Sequence, residues 1–233
     1  MDERFSPQGT IAAGHPLAGA RGQFLLRTYN HLLGAIAGFT LLEVLYFKSG
    51  AAETMARAML GVNWLFVLGG FVVVSWIASR FAHRAQSLQA QYTGLGLLVL
   101  AQSIIFVPLL YVANYYADGG VIESAALITL VGFAGLTAIV FWTRKDFSFL
   151  RGVLLWGGVV ALLAIVGGAL FGFALGTWFS VAMIGLAGAA ILHDTSRILH
   201  HFPEDRYVAA SMELFASVAL MFWYVLRLLT SRR

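Results

Sequence analysis

Seven apolar stretches of 18 to 23 residues, separated by short polar connections, constrain this sequence more than any other feature. They cover residues 25–47, 59–79, 91–113, 121–142, 150–167, 172–192 and 207–229. A helix needs roughly 20 apolar residues to cross about 30 Å of hydrocarbon. Only 11% of the residues are charged, less than half of the roughly 25% typical of soluble domains. We therefore predict an all-α membrane protein with seven transmembrane helices, and we exclude a soluble enzyme and a disordered chain.

The fifth and sixth stretches have to be separated by a turn, because residues 150–192 contain Arg151 as their only charged residue. A single helix of that length would measure about 65 Å, roughly twice the thickness of the hydrocarbon core. The pair Gly167-Gly168, followed by Gly172, is the predicted break between two helices. At the N-terminus, residues 1–23 are polar and are predicted to form a disordered cytoplasmic tail. Residues 24–233 are predicted to form one transmembrane domain.

The distribution of Lys and Arg predicts the orientation of the bundle. With a cytoplasmic N-terminus, ten of the fifteen Lys and Arg residues fall on the cytoplasmic side. This excess favours N-terminus inside and C-terminus outside. The basic residues at the C-terminus, Arg232 and Arg233, pull the other way. The net charge of +4 is interpreted as a topology signal, and no nucleic-acid partner is predicted.

Ionisable side chains within membrane segments are the main functional candidates, because each is costly unless it is paired or hydrated. Glu43 and Glu123 lie near the outer ends of their segments and are expected to reach water. Asp194 and Glu213 lie at neighbouring depths on consecutive helices near the cytoplasmic end, where they are expected to share a proton or a cation. The alternative is a capping or loop role for Asp194 and a water-facing Glu213.

Two further sets of residues belong to the same end of the bundle. Arg80 ends the second segment, where it serves either as a latch on a carboxylate or as an ordinary positively charged anchor. His193, His200 and His201 are candidate pH sensors, since the unperturbed pKa of histidine lies near physiological pH. The alternative is that polar connections simply tolerate histidine.

Several classes of site are missing from the sequence. There is no cysteine, so disulfides, thiolate metal sites and iron–sulfur clusters are excluded. Neither a Ser–His pairing nor a zinc-binding His-x-x-x-His pair lies in a membrane segment, and both lysines lie in connections. We predict that the protein is not an enzyme and has no cofactor. Pairs of glycines are expected to permit close helix packing: Gly132 with Gly135 and Gly185 with Gly188.

Several motifs occur in the order found in one membrane-protein family. They are residues 24–29 (FLLRTY), 132–137 (GFAGLT), 143–150 (TRKDFSFL), 191–198 (ILHDTSRI) and 207–210 (YVAA). With these motifs the chain resembles the Bax inhibitor-1 family, in particular its bacterial YccA-like branch, over residues 24–229. One departure is His193, where the family usually has Tyr or Phe. The resemblance implies a location in the bacterial inner membrane.

The resemblance also implies a fold and a function. Family members have seven transmembrane helices with the last one central, and they look like pH-sensitive calcium leak channels. In these, aspartates on helices six and seven share a proton, and an arginine at the end of helix two latches one of them. Asp194 matches the first aspartate, Arg80 approximately matches the arginine, and Ser217 occupies the position of the second aspartate. Glu213, one turn earlier, either substitutes for that aspartate or leaves the two-carboxylate sensor missing.

Two functions follow as hypotheses. The first is a calcium leak gated near the cytoplasmic side by Asp194, Glu213, Ser217 and Arg80, with weak and transient calcium binding at Asp194 and Glu213. Calcium or protons would be the ions moved. The second is a membrane interaction protein that modulates a membrane-bound AAA protease or a stress response, as other family members do. That role requires no pair of carboxylates in a pore.

Overall fold

A computed structural model describes residues 19–84, 87–117 and 119–231, without the side chains of residues 83 and 84. Eight helices occur in these ranges: α1 (Ala20–Ser49), α2 (Ala51–Leu60), α3 (Trp64–Arg84), α4 (Leu88–Tyr116), α5 (Val121–Thr143), α6 (Leu150–Phe171), α7 (Thr177–His200) and α8 (Tyr207–Ser231). All except α2 are long and apolar enough to cross a membrane. The predicted all-α fold with seven transmembrane helices is confirmed.

The helix α2 was not expected from the apolar pattern. It has ten residues, too few to cross a bilayer, and it begins where Gly50 turns the chain with φ of 78°. Ala52 and Ala56 are buried against Val107 of α4. Because α2 occupies residues 51–60, the next spanning helix begins at Trp64 and not at residue 59.

The turn between α6 and α7 lies later than predicted. Helix α6 continues through Gly167 and Gly168 and ends at Phe171, where Gly172 adopts a left-handed φ of 75°. A Cβ atom on Gly168 would lie 3.0 Å from the backbone oxygen of Phe173. The glycine pair therefore lets the chain fold back closely on α6, whereas Gly172 makes the turn.

The first residues of α1, which were predicted to belong to the disordered tail, are helical. Residues 1–18 of the predicted tail lie outside the described residues, but α1 begins at Ala20. The guanidinium of Arg21 donates hydrogen bonds to the carbonyl oxygens of Leu199 at 3.2 Å, of Phe202 at 2.6 Å and of Ile198. The last carbonyl groups of a helix lack partners within it. Arg21 therefore joins the first turn of α1 to the end of α7.

The last helix is the most buried of the seven spans, with 72% of its most apolar stretch inside the protein. Helix α8 packs against α1, α3, α4, α5 and α7. Its large buried side chains, such as Leu214 and Leu226, contribute to the two largest apolar clusters of the structure. Side chains that face α8 therefore mark the interior of the bundle.

Only two of the four glycines that were predicted to permit close helix packing lie against another helix. Gly132 and Gly188 do lie against other helices, but an added Cβ on Gly135 or Gly185 would meet nothing within 4 Å. At Gly94 of α4, an added Cβ would lie only 2.6 Å from the backbone oxygen of Ala78 on α3. The tightest of these crossings is therefore the one between α3 and α4.

Candidate functional site

The candidate site lies between α7 and α8, at the end of the bundle where α1 begins. Asp194 lies within α7, which continues eight residues past the predicted end of this segment to His200. The alternative of a capping or loop role for Asp194 is therefore wrong. Since α7 and α8 run in opposite directions, Asp194 faces Ser217, and one turn nearer the end of α7 Arg197 faces Glu213.

The carboxylate of Asp194 is bound from both helices. Ser217 Oγ donates a hydrogen bond of 2.6 Å to Asp194 Oδ2. On α7 itself, His193 Nδ1 lies 3.1 Å from Asp194 Oδ1. The side chain of Asp194 is only 13% exposed, so little water surrounds it. A change in its charge therefore acts mainly on Ser217 and His193. Of the three candidate pH-sensing histidines, His193 alone contacts Asp194.

Glu213 does not take the position opposite Asp194 that a substitute for the second aspartate requires. Its carboxylate accepts a hydrogen bond of 3.1 Å from Arg197, and the pair is partly exposed. An arginine–carboxylate pair of this kind holds two helices together through charge. Arg197 was not among the predicted site residues. It lies three residues after Asp194 on α7, as Glu213 lies four residues before Ser217 on α8, so the two pairs are about one helical turn apart.

The predicted latch by Arg80 is not formed. Its exposed guanidinium lies over the ring of Trp76 in the same helix, 3.9 Å from the ring centroid. Among the described residues, no ion pair connects it to Asp194. The cation–π contact and the exposure of the side chain agree with the alternative interpretation of Arg80 as a positively charged anchor.

The connection between α5 and α6 holds the end of α7 in place. The backbone N–H of Phe147 donates to Ser196 Oγ at 2.9 Å. Asp146 accepts hydrogen bonds from the backbone N–H of Ser148 at 2.8 Å and from its hydroxyl at 2.5 Å. The other oxygen of Asp146 lies 2.9 Å from His201 Nε2. His200 makes a different contact, with the backbone oxygen of Ser196.

The pKa of Asp146 is lowered from its usual value, mainly by the hydrogen bond from the Ser148 hydroxyl and then by that with His201. A carboxyl with a depressed pKa in the folded state stabilises that state above its unfolded pKa of about 4. The contribution is lost as the pH falls from that value through the lower pKa of the folded protein. The connection is therefore held fully at neutral pH and released only in acid.

We expect Asp146→Asn to loosen residues 144–149 at neutral pH, because the amide carries no charge and has one accepting oxygen where the carboxylate uses two. Hydrogen–deuterium exchange of this segment should become several-fold faster, while exchange in α4 stays unchanged. Asp205→Asn is the control, since Asp205 is an exposed carboxylate beside the same end of α7. Equal exchange in the wild type and in Asp146→Asn would contradict this role.

A basic cavity of about 460 Å³ opens beside Asp194 and its partners Ser217 and His193. Its lining consists of Ser148, Arg151, His193, Arg197 and His201. His193, Arg197 and His201 each contact an acid, namely Asp194, Glu213 and Asp146. The positive charge at the mouth is thus partly offset by carboxylates.

The residues around Asp194 supply few oxygen atoms that could bind a cation such as calcium. Calcium takes six to eight oxygen ligands, mostly from carboxylates. Asp194 and Ser217 supply adjacent oxygens, but Glu213 is occupied by Arg197. In the described part of the chain, no group of three or more His, Asp and Glu residues is placed to hold a metal.

Three buried hydroxyl groups, one of them on Thr195 next to Asp194 in the sequence, form a second polar group. Tyr29, Thr137 and Thr195 face one another from α1, α5 and α7. Their oxygens are buried, and none has a hydrogen bond of regular geometry. Buried polar groups without such partners are sites where water binds in protein interiors. The apolar pattern of the sequence contained no signal for this group.

Comparison with known proteins gives consistent matches. A family model described as inhibitor of apoptosis-promoting Bax1 matches residues 21–233. The chain is 30% identical to the modulator of FtsH protease YccA of Escherichia coli K12 over 193 residues, 82% of this chain and 86% of that protein. The same identity and coverage hold for the inner membrane protein YccA of another Escherichia coli strain. A BI1-like protein of Arabidopsis thaliana is 33% identical over 120 residues, 48% of this chain and 46% of that protein.

Proposed function

The chain belongs to the Bax inhibitor-1 family, and from this premise we propose that it is a calcium leak pathway gated by Asp194 between α7 and α8. The observation that carries the proposal is the hydrogen bond of 2.6 Å from Ser217 to Asp194. Ser217 occupies the position of the second family aspartate. The contact that two aspartates would make through a shared proton is here made by a serine and one carboxylate.

The charges around Asp194 support a gate that responds to protons. A charged Asp194 accepts the hydrogen bond from Ser217 and attracts His193, so α7 and α8 are held together. Protonation of Asp194 removes its charge and weakens both contacts. The basic mouth lined by Arg151 and Arg197 opposes the entry of a cation. These features support the assignment of this conformation to a closed state.

The orientation forms part of the proposal. The end with Asp194 carries most of the Lys and Arg residues and is assigned to the cytoplasm, which leaves the N-terminus inside and the C-terminus outside. The relatives named YccA support a location in the bacterial inner membrane. Lipid is in any case a partner of a protein with seven apolar spans.

Calcium flux into liposomes that contain an indicator tests the proposal. We expect the purified protein to raise calcium entry above that of empty vesicles, with a rate that depends on pH between mildly acid and mildly alkaline conditions. Vesicles containing heat-denatured protein control for leakiness caused by protein insertion. Flux equal to that of empty vesicles across this pH range would overturn the proposal.

Ser217→Asp gives a second prediction, because it places two carboxylates within hydrogen-bond distance. Like charges this close cannot both ionise easily, and the pair is expected to share one proton. The midpoint of the pH response of the flux should therefore rise by about one pH unit or more. Ser217→Asn is the control, because asparagine has the size of aspartate without its charge. An unchanged midpoint in Ser217→Asp would contradict a gate at this contact.

The second candidate function is modulation of a membrane-bound AAA protease, supported by the resemblance to the Escherichia coli modulator of FtsH protease over 82% of this chain. Such a role requires no pathway for ions. Deletion of residues 1–18, which keeps Arg21 and its contacts with the end of α7, is expected to abolish co-purification with an FtsH-type protease while leaving any calcium flux intact. Full retention of the protease by the shortened chain would contradict a contact through this segment.

A further inference from the structure

From its position near the end of α1, Glu43 was expected to reach water, but it does not. Its side chain is buried, with the residue 7% exposed, and neither carboxyl oxygen has a hydrogen-bond partner. The residue lies six positions before the end of α1, or about 9 Å along the helix axis. Glu123, the other acid that was expected to reach water near the outer end of its segment, is exposed.

Glu43 lines a cavity of about 400 Å³ between α1, α4, α5 and α8. Three other polar residues line it: Thr40, Asn114 and Thr129. The hydroxyl of Thr129 is buried and also lacks a partner, whereas that of Thr40 donates to the backbone oxygen of Ile36. Asn114 is exposed at the rim. The remaining twelve lining residues are apolar.

No basic side chain compensates Glu43 inside this cavity. Among the described residues of α1, α4, α5 and α8 that line the cavity, Glu43 is the only titratable one. A charged carboxylate without a partner in apolar surroundings is very costly. Glu43 is therefore neutral at rest, with its proton on one of the two unpartnered oxygens.

The cavity adjoins the Asp194 contact along α8. Val218, the residue after Ser217, lines the cavity together with Phe215, Ala219 and Phe222. One turn of α8 thus faces Asp194 on one side of the bundle and the Glu43 cavity on the other. Helix α8 therefore links the Asp194 contact to the Glu43 cavity.

We propose that Glu43, with Thr129, Thr40 and Asn114, forms an exchange site in which a proton is held at rest and a divalent cation displaces it. This inference rests on the proposed leak pathway and adds a second cation-binding position to it. The two carboxylate oxygens, one amide oxygen and two hydroxyls offer up to five ligands, and water supplies the others. The proton leaves to the water that accompanies the cation. With a single negative charge the site binds calcium weakly, which suits a leak.

Carbodiimide labelling tests this site independently of flux, because dicyclohexylcarbodiimide reacts with protonated carboxyl groups in apolar surroundings. In the purified protein, we expect mass spectrometry to find the adduct on Glu43. The rate of labelling should fall several-fold when calcium is added, and also when the pH is raised. Sodium at the same ionic strength should protect much less. Glu43→Gln should remove the adduct, and Glu123→Gln, the matched control, should keep it.

The outcomes separate the exchange site from the leak. An adduct on Glu43 that calcium suppresses supports the site even where liposomes show no flux, and it then stands while the leak proposal falls. Flux without an adduct on Glu43, or with labelling that calcium leaves unchanged, overturns the site. Protection by sodium equal to that by calcium overturns the assignment of a divalent cation. In liposomes, Glu43→Gln should lower calcium flux several-fold, and unchanged flux would remove Glu43 from the pathway.

Discussion

Asp194→Asn is expected to remove most of the pH dependence of calcium flux. Asparagine keeps the shape of the side chain and still accepts the hydrogen bond from Ser217, so the contact between α7 and α8 survives. It has no proton to gain or lose between about pH 6 and pH 8. If Asp194 gates the pathway, the ratio of rates across this range should fall several-fold, and it should become about one when Asp194→Asn is combined with Glu43→Gln.

Histidine variants are the controls for this prediction. His200 and His201 lie beyond the Asp194 contact, against Ser196 and Asp146, so replacing both with alanine should leave the pH profile in place. His193→Phe removes the histidine that touches Asp194 and should shift the midpoint without abolishing the response. A normal profile in Asp194→Asn, combined with a flat profile in the double histidine variant, would assign the sensor to the histidines.

Gly94→Ala should strongly destabilise the bundle although it adds a single methyl group. The added Cβ would lie 2.6 Å from the backbone oxygen of Ala78 and 2.9 Å from the backbone nitrogen of Ala82. Both are backbone atoms of α3, so the clash is relieved only by separating α3 from α4. Overpacking of this kind costs about 1–3 kcal/mol. The midpoint of thermal unfolding in detergent should fall by several degrees.

Gly96→Ala is the matched control, two residues further along the same helix. An added Cβ there meets nothing within 4 Å, and alanine favours a helix over glycine by up to about 1 kcal/mol. The two substitutions should therefore change the unfolding temperature in opposite directions. Equal temperatures for Gly94→Ala and the wild type would show that α3 and α4 do not pack as closely as described.

The number of spanning helices could be predicted because long apolar runs admit few alternatives in a membrane. The short helix α2 could not, since its ten residues pack by contacts of Ala52 and Ala56 with α4. A helix can also continue past the end of the apolar stretch that predicts it. Helix α7 continues to His200 through a polar stretch, because α8, Arg21 and the α5–α6 connection satisfy its polar groups.

The contacts of Asp194 were only half predicted. Carrying the family pattern onto α8 placed Ser217 where it does meet Asp194. Spacing alone suggested Glu213 as a substitute on the same face, yet one helical turn is enough to place Glu213 against Arg197. Glu43 was misjudged because distance from a helix end does not report burial by helices that are distant in sequence.

Infrared difference spectroscopy of the reconstituted protein tests the central claim most directly, because it observes the proton on Asp194 itself. On acidification, the carbonyl band of a protonated carboxylic acid should appear in the wild type and should lack one component in Asp194→Asn. The account predicts that the pH midpoint of this component coincides with that of calcium flux in the same vesicles. A band from Asp194 whose midpoint lies outside the range in which flux changes, or identical spectra for the two proteins, would contradict it.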